Sequence, residues 1–113
     1  VRNTCEDVKA AAVSDGLTWI GTKLPDSLPA TGHYVSLHIW PETNFHWIRM
    51  DANRYWSHKP GGSPVRNVDN NHKKITDPSK SDFAPWTQHC GFMLAIPSKG
   101  TIDIDRSKLA VIV

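Results

Sequence analysis

The chain has 113 residues, of which 39% are hydrophobic and 21% are charged. This length fits one domain over residues 1–113, and the apolar fraction is sufficient for a core, which excludes a chain disordered by composition. The longest apolar run, Leu109 to Val113, is far shorter than the roughly 20 residues that cross a bilayer, which argues against a membrane partner. The net charge of +2 is spread along the chain, so no nucleic-acid partner is required.

The N-terminal segment is predicted to form a helix over residues 3–13. Asn3 or Thr4 can cap it, and Glu6 and Asp7 place negative charge in the first turn, where the helix dipole favours it. The helix should end before Gly16, which suits the left-handed position that follows many helices. A short strand is expected next, over residues 17–20, and then a loop rich in proline and glycine over residues 21–32.

The period of the apolar residues changes from helical to alternating at His33. This alternation predicts an antiparallel meander, because the runs are separated by a turn at residues 41–44 and a tight connection at residues 52–54. Pro60-Gly61-Gly62 ends the last run. The three predicted strands cover residues 33–40, 45–51 and 55–59.

The second half of the chain predicts further strands around a polar region. A turn at Asp69-Asn70-Asn71 allows a small hairpin within the long segment 63–81. Later strands are predicted at residues 90–96, 101–105 and 109–113. The expected fold class is α+β, with an N-terminal helix followed by an antiparallel sheet of five or six strands.

His46 alternates in phase with Ile48 and Met50, which places it on a face that is expected to be buried. Its relation to His58 depends on the connection at residues 52–54. A three-residue loop pairs Ile48 with His58 and makes the two histidines diagonal neighbours, whereas a two-residue turn moves His58 to the other face. We favour the three-residue loop because it also brings Met50 and Trp56 together.

The two cysteines, Cys5 and Cys90, leave two possibilities open. A bridge between them would close a loop of more than 80 residues, which stabilises a fold by roughly 4 kcal/mol, and it would require an oxidising compartment. The alternative is two free thiols, one of which could act as a nucleophile. The chain begins with Val1, which fits a processed, secreted form as well as a trimmed one.

The block from His33 to Gly62 resembles the histidine strand, and the strand after it, of papain-like cysteine peptidases and amidases. The similarity lies in His46 on its strand, a short turn, Tyr55-Trp56 with Lys59 three residues on, and a break that contains glycine. The resemblance implies a papain-like core topology. It also implies that Cys5 is the nucleophile, that His46 is the base, and that His58 orients the ring of His46, as in members that use a third histidine.

Such a site would attack an amide bond in a peptide or a peptidoglycan-like substrate. The thiolate of Cys5 would be favoured by the helix N-terminus and by an imidazolium beside it. Trp47, Trp56 and Gly61 would contact the substrate, and a second chain or segment could complete the site. This hypothesis implies a secreted hydrolase that needs no cofactor.

A competing hypothesis is a secreted, disulfide-stapled binding or effector protein without catalysis, in which Cys5 and Cys90 are structural. Trp40, Trp47, Trp56 and Trp86 could then line a groove for a sugar or a peptide, or simply pack a core. The six histidines do not show the close spacing of zinc ligands, and neither an HExxH nor a CxxC motif occurs. We therefore predict no metal site.

Overall fold

A computed structural model of the protein describes residues 2–97 and shows one helix packed against a five-stranded antiparallel sheet. The α+β prediction is therefore confirmed in its coarse form. The predicted strands at residues 101–105 and 109–113 lie outside the described residues, and the single domain over residues 1–113 stays a prediction. The elements are α1 Cys5–Ser14, β1 Thr18–Gly21, β2 His33–Trp40, β3 Asn44–Met50, β4 Trp56–His58 and β5 Gln88–Ala95.

Helix α1 begins as its sequence predicts. The Thr4 side chain accepts a hydrogen bond from the backbone N–H of Asp7, so Thr4 rather than Asn3 is the cap. Val8 and Ala12 are buried one turn apart on the side that faces the sheet. No helix within residues 2–97 has the length and apolar character needed to cross a membrane.

The strand order in the sheet is β1-β5-β2-β3-β4. The predicted meander β2-β3-β4 is confirmed, because each of these strands pairs with the next in an antiparallel sense. The sequence did not predict that β5 would lie between β1 and β2. Local patterns report strands but not the long-range pairing that a chain of this length permits.

The two faces of the sheet are covered by different parts of the chain. We call the side that packs on α1 the helix face, and its core joins Val8 and Ala12 to Leu37, Trp47 and other buried residues of the strands. The opposite side is the loop face, which is covered by residues 66–87, here called the cover segment. The loop-face core consists of Tyr34, Ile48, Trp56, Ile75, Phe83 and Phe92.

The cover segment is fastened to the sheet edge and to itself. His58 and Arg66 exchange backbone hydrogen bonds, and the backbone N–H of Trp56 donates to the carbonyl of Ile75. The predicted hairpin at residues 69–71 is present only as an isolated bridge between Val68 and Lys74. The segment therefore covers the loop face largely through turns, a short 3-10 helix at Pro78–Lys80 and side-chain contacts.

A bulge in β5 is central to the arrangement. The pairing of β2 with β5 shifts by one residue between Leu37 and His38, so that Leu37 lies opposite Gly91 and His38 lies opposite His89. Cys90 is the extra residue of this bulge and packs with Cys5 against the helix-face core. Because of the extra residue, His89 and Phe92 both lie on the loop face, while Cys90 packs on the helix face.

Candidate functional site

Four histidines meet on the loop face, and we call His38, His46, His58 and His89 the histidine cluster. Strand register explains the meeting, because His38 is the cross-strand partner of both His46 and His89, and His58 is diagonal to His46. His38, His46 and His58 are buried, with exposed fractions of 3%, 3% and 5%. His89 is half-buried.

His46 and His58 form a hydrogen-bonded pair, as the three-residue loop predicts. The register pairs Met50 with Trp56 and Ile48 with His58, and Arg54 takes the left-handed position of the loop at φ 70°. Nε2 of His46 lies 3.0 Å from Nδ1 of His58. The predicted proximity of the two rings is therefore confirmed.

The protons of this pair follow from its third partner. Nε2 of His58 lies 2.9 Å from the carbonyl oxygen of Val68, and a carbonyl only accepts, so His58 carries its proton on Nε2. In neutral His58 the Nδ1 atom is then an acceptor, and Nε2 of His46 must donate to it. Neutral His46 therefore keeps a lone pair on Nδ1.

Aromatic rings of the cover segment enclose the cluster. Phe83 meets the rings of His38 and His58 edge-on, at centroid distances of 5.0 and 5.1 Å. Trp86 stacks on His46 at 4.6 Å with an interplanar angle of 27°. These contacts remove water from the imidazoles without supplying a counter-charge.

The remaining polar contacts of the cluster are also uncharged. Nε2 of His38 lies 2.8 Å from the Ser36 hydroxyl, and the His38 ring lies 5.0 Å from that of His89. Nε2 of His89 is buried and has no hydrogen-bond partner within residues 2–97. The cluster is therefore assembled around neutral imidazoles.

Burial lowers the pKa of every member of the cluster. It is the main cause of the lowered pKa of His46, which falls to about 4, with His58 adding a smaller effect of the same sign. The pKa of His38 lies well below its ordinary value because of burial and then because of His89, His46 and His58. Burial likewise lowers the pKa values of His58 and His89. At neutral pH the four rings are uncharged.

Both cysteines form one disulfide. Cys5 and Cys90 are 85 residues apart in the sequence and 5.4 Å apart between Cα atoms. The bond ties the start of α1 to the bulge of β5 across the helix face. Of the two possibilities that the sequence left open, the structure shows the disulfide bridge. Cys5 therefore has no free thiol that His46 could deprotonate.

The predicted substrate contacts occupy other environments. Trp47 is 0% exposed in the helix-face core and Trp56 is 1% exposed in the loop-face core, so neither presents a surface to a substrate. Gly61 lies in an open turn at φ 52°. Trp40 is 39% exposed and meets Trp86 edge-on at 6.3 Å.

Among residues 2–97, no three histidine, cysteine, aspartate or glutamate side chains are placed to share a metal ion. The carboxylate of Asp69, which is buried, is occupied by the backbone N–H groups of Asn71, Lys73 and Asp82. This carboxylate therefore organises the cover segment.

Comparison with known proteins gives one informative similarity. No family model and no solved structure matches the chain. The chain is 36% identical over 91 residues to "Insoluble matrix shell protein 1" of Ruditapes philippinarum, an alignment that covers 80% of this chain and 59% of that relative. The chain thus spans about six-tenths of the length of the relative.

The prediction that the chain belongs with the papain-like peptidases is wrong. No family model supports it, and the similar curated protein is named as a shell matrix protein. The short pattern around His46 and His58 reports a strand, a turn and a second strand, which many antiparallel sheets share. The papain-like part of the expected topology has no support either, whereas the helix and the antiparallel sheet stand.

Sequence reasoning missed several residues that shape the cluster. The position of His38 could have been predicted, because the turn after Trp40 pairs Trp40 with Asn44 and therefore His38 with His46. The positions of Phe83 and Trp86 could not be predicted in this way, because both residues lie in a long polar segment outside the strands. The bulge that brings His89 to His38 was also not visible in the alternation of β5.

Proposed function

We propose that this chain is a non-catalytic, extracellular domain that serves as a structural component of an insoluble organic matrix. The observation that carries the proposal is the Cys5–Cys90 disulfide, which uses both cysteines of the chain. Such a bond persists in an oxidising, extracellular compartment. The similarity to a protein named as an insoluble matrix shell protein supports the same compartment and the same class of role.

The chemistry of the histidine cluster agrees with a structural role. Its polar contacts are internal, and Phe83 and Trp86 cover the rings. The buried hydrogen bonds of His38, His46 and His58 fix one arrangement of this core. The base that the sequence suggested is thus explained as a packing element of the loop face.

The net charge restricts the kind of matrix partner. With thirteen basic and eleven acidic residues, the chain does not have the strongly acidic character that would favour binding to a surface rich in divalent cations. We propose that it associates with the macromolecules of an organic matrix rather than with mineral ions. The exposed Trp40 and the half-buried Trp86 provide an aromatic surface for such contacts.

Fractionation of the source tissue tests this function. Antibodies against the oxidised protein would be used on a cell lysate, on soluble extracellular fluid and on the matrix that remains after mineral is dissolved in acid. We expect the protein in the denaturant-insoluble matrix, from which a reductant and a strong denaturant together release it. Recovery mainly from the cell lysate, with alkylatable thiols, would overturn the proposal.

A binding experiment separates specific association from general adsorption. The oxidised recombinant protein would be incubated with the acid-washed insoluble matrix, and the reduced, alkylated and unfolded chain would serve as the control. We expect the folded protein alone to be retained at physiological salt. Equal retention of both forms, or retention of neither, would contradict a folded matrix component.

A further inference from the structure

The histidine cluster has a property that a static structural role does not require. Its four imidazole rings lie together beneath the cover segment. An imidazole that is exposed to water becomes protonated in mild acid. None of these four rings forms an ion pair with a carboxylate of residues 2–97. Added protons would therefore be buried without a paired carboxylate, which disfavours each charged ring.

We propose that the histidine cluster is a proton-operated latch that holds the cover segment on the loop face at neutral pH and releases it in mild acid. The latch is independent of the extracellular role proposed above. It rests on where the rings lie and on what each of their nitrogen atoms contacts.

The His46–His58 pair limits how many protons the closed state accepts. One added proton is tolerated, because a cationic His58 can donate from Nδ1 to Nε2 of His46 if the proton of His46 moves to Nδ1. A second proton leaves N–H groups on both sides of the 3.0 Å contact and abolishes the hydrogen bond. Both rings would then repel each other under Phe83 and Trp86.

The charged groups around the cluster reinforce this limit. Arg66 faces His58 from the cover segment and disfavours its protonation, and this effect exceeds the opposing effect of Asp69. Asp77 acts on His89 in the direction that favours its charge, but burial outweighs it. His38 faces the three other histidines of the cluster. Each proton thus makes the next one harder to add while the segment remains closed.

Release is confined to one side of the sheet. The cover segment contacts the cluster through Phe83, Trp86 and the Val68 carbonyl. The helix face has its own core and the Cys5–Cys90 disulfide. Opening therefore exposes apolar side chains of the loop face, such as Trp56 and Phe92, while α1 remains attached to β5.

A pH titration of the oxidised, uniformly 15N-labelled protein tests the latch by NMR. We expect the amide signals of residues 66–87 to be lost reversibly with a midpoint of about pH 5, while the signals of α1 and β5 persist. A dye that binds apolar surface should gain fluorescence over the same pH range. Simultaneous loss of the α1 and cover-segment signals would overturn the proposal, as would an unchanged cover segment at pH 4.

A set of variants assigns the effect to the cluster. In His38→Gln/His46→Gln the amides retain hydrogen-bonding capacity but no longer titrate, so the opening midpoint should fall by about one pH unit. The control is His72→Asn, because His72 is exposed and lies at φ 60°, which asparagine adopts readily. An identical midpoint in the double variant and the wild type would contradict the latch. If the double variant fails to fold, the wild-type titration alone decides.

Discussion

His46 and His58 show how one hydrogen bond depends on the charge of two rings. The Val68 carbonyl fixes the proton of His58 on Nε2, and the 3.0 Å contact then requires a donor on His46. Burial favours the neutral form of both. The stability of the fold should therefore depend on pH through these residues.

Lowered histidine pKa values give this dependence a definite sign. The folded state has pKa values below the ordinary 6.5, so between the two values the unfolded chain binds more protons, and stability is lost as the pH falls. From pH 7.5 to 5.5, His46 alone should lower the free energy of unfolding by more than about 1 kcal/mol. Urea unfolding of the oxidised protein measures this change. A midpoint that stays constant or rises on acidification would show that the rings are not buried and neutral.

The buried carboxylate of Asp69 is a second titratable group that stabilises the fold. Burial acts to raise the pKa of its carboxyl, but hydrogen bonds from the backbone N–H groups of Asp82, Lys73 and Asn71 outweigh it, so the pKa is lowered. The ionised carboxylate thus fastens the two ends of the cover segment to each other.

The change Asp69→Asn removes this charge and one acceptor oxygen. We expect a loss of about 1 to 3 kcal/mol in the free energy of unfolding at pH 7, because hydrogen bonds to charged groups are among the stronger ones. Asp26→Asn is the matched control, since Asp26 is exposed. Chemical denaturation of both variants provides the measurement, and equal stabilities would refute the assigned role of Asp69.

At the scale of elements, the bulge in β5 determines which residues reach each face. Gly91 lies at φ 150°, where side chains are strained, and an added Cβ would lie 2.3 Å from Cη2 of Trp19 and 2.8 Å from the carbonyl oxygen of Gly21. The β1–β5 pairing and the packing of Trp19 therefore require glycine at this position.

The substitution Gly91→Ala should destabilise the protein by at least about 2 kcal/mol, through backbone strain and overpacking together. Gly62→Ala is the control, because nothing lies within 4 Å of its added Cβ and its φ is not positive. Thermal unfolding of the two variants compares them directly. If Gly91→Ala unfolds at the wild-type temperature, the bulge is not as tightly packed as described.

Sequence patterns predicted the elements better than their arrangement. The alternation of apolar and polar residues located β2, β3 and β4. The length of the loop between β3 and β4 placed His46 beside His58, because a short loop permits few pairing registers between two strands. The choice of register was correct although arginine is a poor residue for the left-handed position that Arg54 occupies. The cover segment and the insertion of β5 depend on contacts distant in sequence, for which local patterns carry no signal.

The error in the predicted site has the same origin. A cysteine at a helix start and a histidine on a strand fit a nucleophile and a base, but the same residues also fit a staple and a packed cluster. Only the proximity of Cys90 to Cys5, produced by the bulge, distinguishes the two cases. For Trp47 and Trp56, the pattern located the strands but not the extent of burial, which leaves neither ring exposed to a substrate.

At the scale of the whole molecule, the disulfide joins regions that are 85 residues apart. Loop-closure entropy for a segment of this length gives a stabilisation of about 4 to 5 kcal/mol. Cys5→Ala/Cys90→Ala should therefore lose most of the stability that a small domain possesses. Denaturant unfolding of the oxidised protein and of this variant measures the difference. A variant as stable as the oxidised protein would show that the bond contributes little to the fold.

The Cys5–Cys90 bridge is structural, and it leaves neither cysteine free to act as a nucleophile. Its most direct test is the intact mass of the natively purified protein after iodoacetamide treatment in denaturant, with and without prior reduction. We predict no adduct without reduction and two adducts after it. An adduct on Cys5 in the unreduced sample would contradict the bridge, because it would show a free thiol at the start of α1.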